Sequence, residues 1–235
     1  MRIATYNFLV GGSARRARQW ERLHERLAPD VILAQEAAMP PAGSGVALWQ
    51  AAPGRRWGTG VWLRRGGITP LPVRGFSGWV VGGEVTLPGR RALKPLRVFS
   101  IHCPVGAHGY VRTLGTILDR LARLGEGAEL LVGGDLNVVA GYRSGDERVR
   151  MLRAEERLLD RFAAELGLVP AWQAMHPGVP LAQTLRWSGD RRMPYHCDGI
   201  FVPRAWVKRL VSAEVVTGRL WTRLSDHNPV VAEVR

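Results

Sequence analysis

Cysteine and lysine are scarce in this 235-residue chain: only Cys103 and Cys197 of the one, and only Lys94 and Lys208 of the other. The two cysteines lie far apart and lack CxxC or ligand spacing, which argues against a disulfide scaffold or a zinc site and for small buried residues. No run of 18 apolar residues occurs, so no membrane span is expected. The opening MRIATYNF passes into Gly11-Gly12 and a charged segment without the apolar region of a signal peptide, and the expectation is a soluble, cytoplasmic protein. Internal repeats, low-complexity tracts and linkers are also missing. A chain of this length suits one large α/β domain spanning 1–235, with a monomer as the default state.

What is abundant is arginine. The formal charge is +13 and the isoelectric point about 11.2. A positive field of that kind raises the local concentration of phosphate groups, so nucleic acid or another phosphorylated substrate is the expected partner. Because nearly all the charge is Arg, a general composition bias is the competing explanation.

The apolar pattern alternates between helical and extended periods. IATYNF (3–8) reads as a strand ending at a Gly turn; Ser13 is a candidate cap for a helix carrying Ala17, Trp20, Leu23 and Leu27, stopped by Pro29; VILAQE (31–36) is a buried strand. From 46 to 102, VALWQ, TGVWLRR, WVVGGEVTL and LRVFSIH read as an antiparallel meander. Leu114, Ile117, Leu118, Leu121 and Leu124 mark a second helix, and ELLVGGD another buried strand. SGDE (144–147) has capping-box spacing ahead of a third helix with Leu152, Leu158, Leu159, Phe162 and Leu166 on one face. QTLRW, DGIFV, LVSAEVV and PVVAEV return to β.

Polar groups fall at the ends of these strands. Asn7, Glu36, His102 and Asp135 each follow an apolar strand, whereas Asp198, Asp226 and His227 each precede one. If the late strands run antiparallel to the early ones, all of these groups meet at one sheet edge. Carboxylates with imidazoles and an amide form a hard-oxygen site with a built-in base, suited to Mg²⁺ or Mn²⁺ rather than zinc, since no HExxH pair is present. Each piece has a bland reading as well: GGDLN and SDHNP as turns, Glu36 as a helix-terminal charge, His102 as a satisfied buried histidine, Asn7 as a turn brace, Asp198 as a partner of Arg191 or Arg192.

TYN (5–7), QE (35–36), SIH (100–102), GGDLN (133–137), HCDGIF (196–201) and SDHNPV (225–230) together resemble the endonuclease/exonuclease/phosphatase superfamily, which includes DNase I, the exonuclease III type of abasic-site endonuclease and inositol polyphosphate 5-phosphatases. The resemblance implies an α/β four-layer sandwich, two mixed β-sheets face to face with helices outside. It implies that Glu36 ligates the divalent metal with help from Asn7 and Asp226, and that His227, oriented by Asp198, contacts the scissile phosphate as acid or base. Asp135 would position or deprotonate water, Asn137 hold a phosphate oxygen, and His102 stabilise developing charge or protonate the leaving oxygen. Which member is the true base stays open. The chain departs from the family pattern in three places: His102 stands where abasic-site endonucleases carry Tyr, HCDG replaces the usual Arg-Ile-Asp-Tyr, and Leu9 stands where some members place a further acid.

Several of the nine tryptophans adjoin Arg, Arg186-Trp187 among them, a pairing that suits phosphate contact by the Arg with base stacking on the Trp. Trp62 and Trp79 read as core; Trp187 and Trp221 are the candidates for the cleft, and by analogy Thr184 contacts phosphate. The leading expectation is a Mg²⁺-dependent phosphodiesterase, a nuclease on DNA or RNA. The alternatives are hydrolysis of a small or lipid phosphoester, such as a phosphoinositide or sphingomyelin-like headgroup, and an inactive member that only binds nucleic acid. The Asp-x-His opening of the calcineurin-like phosphoesterases is absent.

Overall fold

A computed structural model of the chain describes residues 1–9, 14–91, 93–144 and 150–235, with the backbone alone at 14–17. The expected Gly11-Gly12 turn, Ser13 cap and Ala17 helix contact, and the body of the capping box at 144–147, lie outside what is described.

Two six-stranded sheets face one another. In the first, β1 (Arg2–Asn7) pairs in parallel with β2 (Val31–Ala37), which pairs antiparallel with β4 (Gly58–Leu63) and through it with β3 (Val46–Ala51). On its other flank β1 meets β12 (Val230–Val234) and then β11 (Leu210–Val215), both antiparallel. In the second sheet, β5 (Gly67–Pro70), β6 (Val80–Thr86) and β7 (Leu96–His102) form an antiparallel run. Here β7 pairs in parallel with β8 (Glu129–Asp135), and β8 pairs antiparallel with β10 (Asp198–Pro203), which is followed by β9 (Leu168–Pro170) at the edge. The expected single meander is therefore divided between the sheets: β3 and β4 extend one, β5 to β7 open the other.

The period-2 alternation of β1 and β2 explains the layering. Ile3, Val31 and Leu33 turn toward the second sheet, whereas Ala4, Tyr6, Ile32 and Ala34 turn outward into a second cluster. That outer face is covered by α1 (Ala14–Leu27) through Trp20, Leu23 and Leu27, in line with the 3.6-residue spacing of those side chains. The outer face of the second sheet is covered by α2 (Gly109–Gly125) and α3 (Arg153–Ala164). Leu114, Ile117, Leu118 and Leu121 are fully buried there, and Phe162 stacks on Phe201 of β10 at 4.1 Å. Helix, sheet, sheet and helix pair make the four layers expected. At the start of α3, the Glu155 carboxylate accepts the N–H groups of Leu152 and Val139. The QTLRW stretch does not become a strand: Leu185 makes only isolated bridges, to Tyr195 and His227.

Gly133 shows how closely the sheets approach. A Cβ there would stand 2.7 Å from Leu33 Cδ1 across the interface and 2.7 Å from the carbonyl of Gly199. Only glycine allows β8 to come this near.

Candidate active site

Residues 5, 35 and 100 share the inter-sheet face with Ile3, Leu33 and Val98, yet they are Thr, Gln and Ser. All three are fully buried. Gln35 Nε2 donates to Thr5 Oγ1 (3.2 Å), to the Leu33 carbonyl (2.9 Å) and across the interface to Ser100 Oγ (2.9 Å), and Ser100 Oγ donates to the Ala34 carbonyl (3.1 Å). A satisfied polar network is directional where apolar packing is not, so it fixes how one sheet sits on the other. Each member lies one or two residues before a candidate site residue: Thr5 before Asn7, Gln35 before Glu36, Ser100 before His102.

Strict alternation would send Glu36 outward with Ile32 and Ala34. Instead its backbone takes φ +48°, and the β2–β4 register breaks between Ala34 and Ala37. A left-handed conformation at a glutamate is unfavourable, on the order of 1–3 kcal/mol. It swings the carboxylate to the inter-sheet side, where Glu36 Oε1 accepts from Asn7 Nδ2 (3.1 Å) and stands 3.4 Å from His102 Nε2. The other oxygen, Oε2, is buried and has no hydrogen-bond partner. Asn7 Nδ2 also reaches Asp135 Oδ2 (3.0 Å), so one amide ties the two carboxylates together. Asn7 Oδ1 accepts the Leu9 N–H (2.9 Å); in this arrangement Asn7 offers the two acids its donor side, not the ligand oxygen expected of it.

Asp135 and Asp198 face each other in the β8–β10 ladder. Asp198, wholly buried, holds His227 Nδ1 at 2.8 Å, and the opposite ring nitrogen points to Asp135 Oδ2 at 3.8 Å and Asp226 Oδ1 at 3.9 Å. Burial alone would lower the imidazole pKa. The Asp198 carboxylate, followed by Asp135 and Asp226, outweighs it and pushes the value up to about 10. Asn137, at φ +52°, closes the turn after β8: its N–H bonds Asp135 Oδ1 (2.9 Å) and its Nδ2 the Cys103 carbonyl (3.0 Å), leaving a second amide hydrogen for a ligand. His102 lies between Trp57 and Trp79, ring centroids 5.6 and 5.2 Å away, and its buried Nδ1 has no partner.

The SDHNP turn is clamped from two sides. Ser225 Oγ donates to the Asn7 carbonyl (2.8 Å) and accepts the His227 N–H (3.0 Å). The Arg186 guanidinium bonds the Ser225 and His227 carbonyls (2.7 and 3.2 Å) and the Asn228 side chain. Arg186, expected to contact phosphate beside Trp187, is thus occupied in holding this turn. Thr184 is fully buried, its Oγ1 accepting the N–H groups of Cys197 (3.0 Å) and Asp198 (3.1 Å). Neither Arg186 nor Ser225 was legible as a brace, since nothing in sequence links Arg186 to a turn some forty residues on, or Ser225 to Asn7 at the other end of the chain.

Trp187 is 51 % exposed and lines a cavity of about 270 Å³ with Asn137, Val139, Tyr195 and Cys197. Trp221, expected at the cleft, is 4 % exposed and packs edge-on against Tyr6 in the outer core; the short helix α4 (Arg219–Leu224) turns it inward.

Among the described residues, donor atoms of Cys197, Asp198 and His227 lie within 4.8 Å of one another, close enough to hold a metal ion. His227 Nδ1 is, however, taken by Asp198, and burial raises the Cys197 thiol well above its ordinary pKa, so the trio works as an orienting group. A hard cation is better matched by the corner of Glu36, whose buried oxygen lacks a partner.

No protein-family model matches the chain, and no curated protein matches it. Solved structures do. The 3′ phosphatase NExo from Neisseria, bound to product DNA hairpin, superposes with a TM-score of 0.72 at 20 % identity, covering 100 % of this chain and 99 % of that one. An AP endonuclease from Archaeoglobus fulgidus gives 0.71 at 21 %, and the 3′-5′ exonuclease NExo from Neisseria meningitidis 0.67 at 19 %, with the same coverage. The chain therefore shares the fold of these structures, a DNase I-like sandwich of two mixed sheets with helices outside.

Proposed function

We propose that the chain is a divalent-metal-dependent phosphodiester hydrolase that acts on nucleic acid. The observation that carries this reading is the meeting of Asn7, Glu36, Asp135, Asp198 and His227, drawn from both sheets, within hydrogen-bonding or ion-pairing reach of one another. Two further facts support it: the charge of +13, and the fold shared with a 3′ phosphatase, an exonuclease and an AP endonuclease.

Glu36 Oε2, buried and unpartnered, fits a Mg²⁺ or Mn²⁺ ion, with Asp226 as second ligand and Asn7 joining if its oxygen leaves the Leu9 N–H. Such an ion, when bound, offsets charge on the phosphoryl oxygens by several kcal/mol. The protein's own groups supply the rest. Asp135, held by the Asn7 amide and the Asn137 N–H, is placed to orient a water and accept its proton. His227, locked through Nδ1 by Asp198 and kept cationic, presents Nε2–H to a phosphoryl oxygen. Asn137 offers its remaining amide hydrogen to another, and His102 lies beside Glu36 to steady charge on the leaving oxygen.

The test is a panel of supercoiled DNA, single strands, RNA, abasic duplex and phosphoinositide, with Mg²⁺ or with EDTA. Cleavage of nucleic acid that EDTA stops, and that Asp135→Ala and His227→Ala abolish, is the expected result. Phosphoinositide hydrolysis with nucleic acid untouched would move the assignment to a small or lipid phosphoester. Retardation of uncleaved DNA would make the chain a binder.

A further inference from the structure

We propose that the groove on the Trp79 side of His102 is a subsite for an unpaired nucleotide, so that the enzyme works on single-stranded stretches of its substrate. The inference rests on the nucleic-acid reading above and narrows it.

A groove of about 420 Å³ opens between the β5–β6 connection and the β7–α2 connection. Its walls include Phe76, Trp79, Pro104 and Val105, and its rim carries His108 and Arg112. Trp79 is the link to chemistry, because its indole packs on the His102 ring at 5.2 Å and on Trp57 at 5.6 Å. A strand whose phosphate sits among Glu36, Asp135 and His227 therefore passes this groove within one nucleotide of the reacting centre. Val105 is 70 % exposed, and Trp79 and Phe76 keep part of their surface open. Arg112 is exposed, and no carboxylate pairs with it among the described residues.

An aromatic face, small apolar walls and the Arg112 guanidinium at the rim match the two halves of a nucleotide, the base stacking and the phosphate pairing. The volume falls within the range of small-ligand sites, roughly 300–1,000 Å³. It takes one nucleotide but not a duplex, and a base inside a duplex has both faces already stacked, so only an unpaired base can use Trp79.

Binding of a labelled single-stranded oligonucleotide is measured by fluorescence anisotropy in EDTA, with a blunt duplex of the same sequence alongside. The intact chain is expected to favour the single strand. Trp79→Ala should raise Kd about 5- to 150-fold, the equivalent of one stacked base at 1–3 kcal/mol. Trp79→Tyr should restore most of it. Arg112→Glu, at an exposed position where folding is not at issue, should weaken binding and lower the slope of log Kd against log salt by at least about 0.7, the share of one phosphate contact. Arg65→Glu is the charge control: Arg65 follows β4 at the end of the sheet opposite Glu36, and it should leave Kd within about twofold. Equal effects of Arg112→Glu and Arg65→Glu, or equal affinity for duplex and single strand, overturn the proposal while leaving the nuclease reading in place. Absence of any nucleic-acid binding by the intact chain overturns both.

Discussion

The carboxylate of Asp198 lies 2.8 Å from Nδ1 of His227, and both side chains are almost wholly removed from solvent. Replacing Asp198 by Asn keeps the shape and removes the charge that holds the imidazole protonated and in one tautomer. We expect kcat to fall by about 10²–10⁴, the usual share of a positioned acid or base. Stability should change its pH dependence too. The folded pKa of about 10 stands above the ordinary 6.5, so the imidazolium stabilises the fold fully below pH 6.5 and progressively less as pH rises toward 10. Urea unfolding in EDTA across that window should show this decline in the parent and not in Asp198→Asn; equal slopes would sink the pairing.

Glu36 combines a strained backbone with a buried, unpartnered oxygen, an arrangement that suits a cation better than it suits the free protein. Adding Mg²⁺ should raise the Tm of the parent, by the equivalent of about 2.7 kcal/mol at a hundredfold excess over Kd. Glu36→Gln in EDTA should be at least as stable as the parent, and its Tm should ignore Mg²⁺. A melting temperature that rises equally in both proteins places the ion elsewhere.

Gln35 and Ser100 bond across the sheet interface directly behind Glu36 and His102. Gln35→Leu takes away the shared partner of the Thr5 and Ser100 hydroxyls, which keep only their bonds to the Leu33 and Ala34 carbonyls, and should lower stability by about 1–3 kcal/mol. Because the sheets then lose their fixed alignment, kcat should drop more than KM rises. Ser100→Thr, which keeps the acceptor, should behave closer to the parent; denaturant unfolding and steady-state kinetics on one substrate check both effects.

Two tryptophans expected together at the cleft should now separate. Trp221→Ala empties part of the outer core beneath Tyr6 and should destabilise by about 3–5 kcal/mol. Trp187→Ala, at an exposed site, should stay within about 0.5 kcal/mol of the parent and act on KM instead. Chemical denaturation of the two variants gives the contrast directly.

The sequence by itself determined most of the strands, though not that QTLRW stays irregular, together with the main helix faces and the rim positions of the polar groups. Period-2 and 3.6 spacing is a local property of β1, β2, β8, α1 and α2, and Asn7, His102 and Asp135 stand at the last positions of their strands for anyone to read. Tertiary structure alone decided the rest, for physical reasons that act between distant segments. Alternation aims Glu36 at the wrong face, and only the left-handed turn and the broken register bring it inward. Asp198 could have met any cation until the antiparallel β8–β10 ladder and the clamped SDHNP turn gave it His227. Arg186 reads as a phosphate contact until the open carbonyls of that turn claim it, and Trp221 reads as a loop residue until a short helix carries it into the core. Local spacing fixes which way a side chain leaves the backbone; what it meets there depends on how the sheets stack.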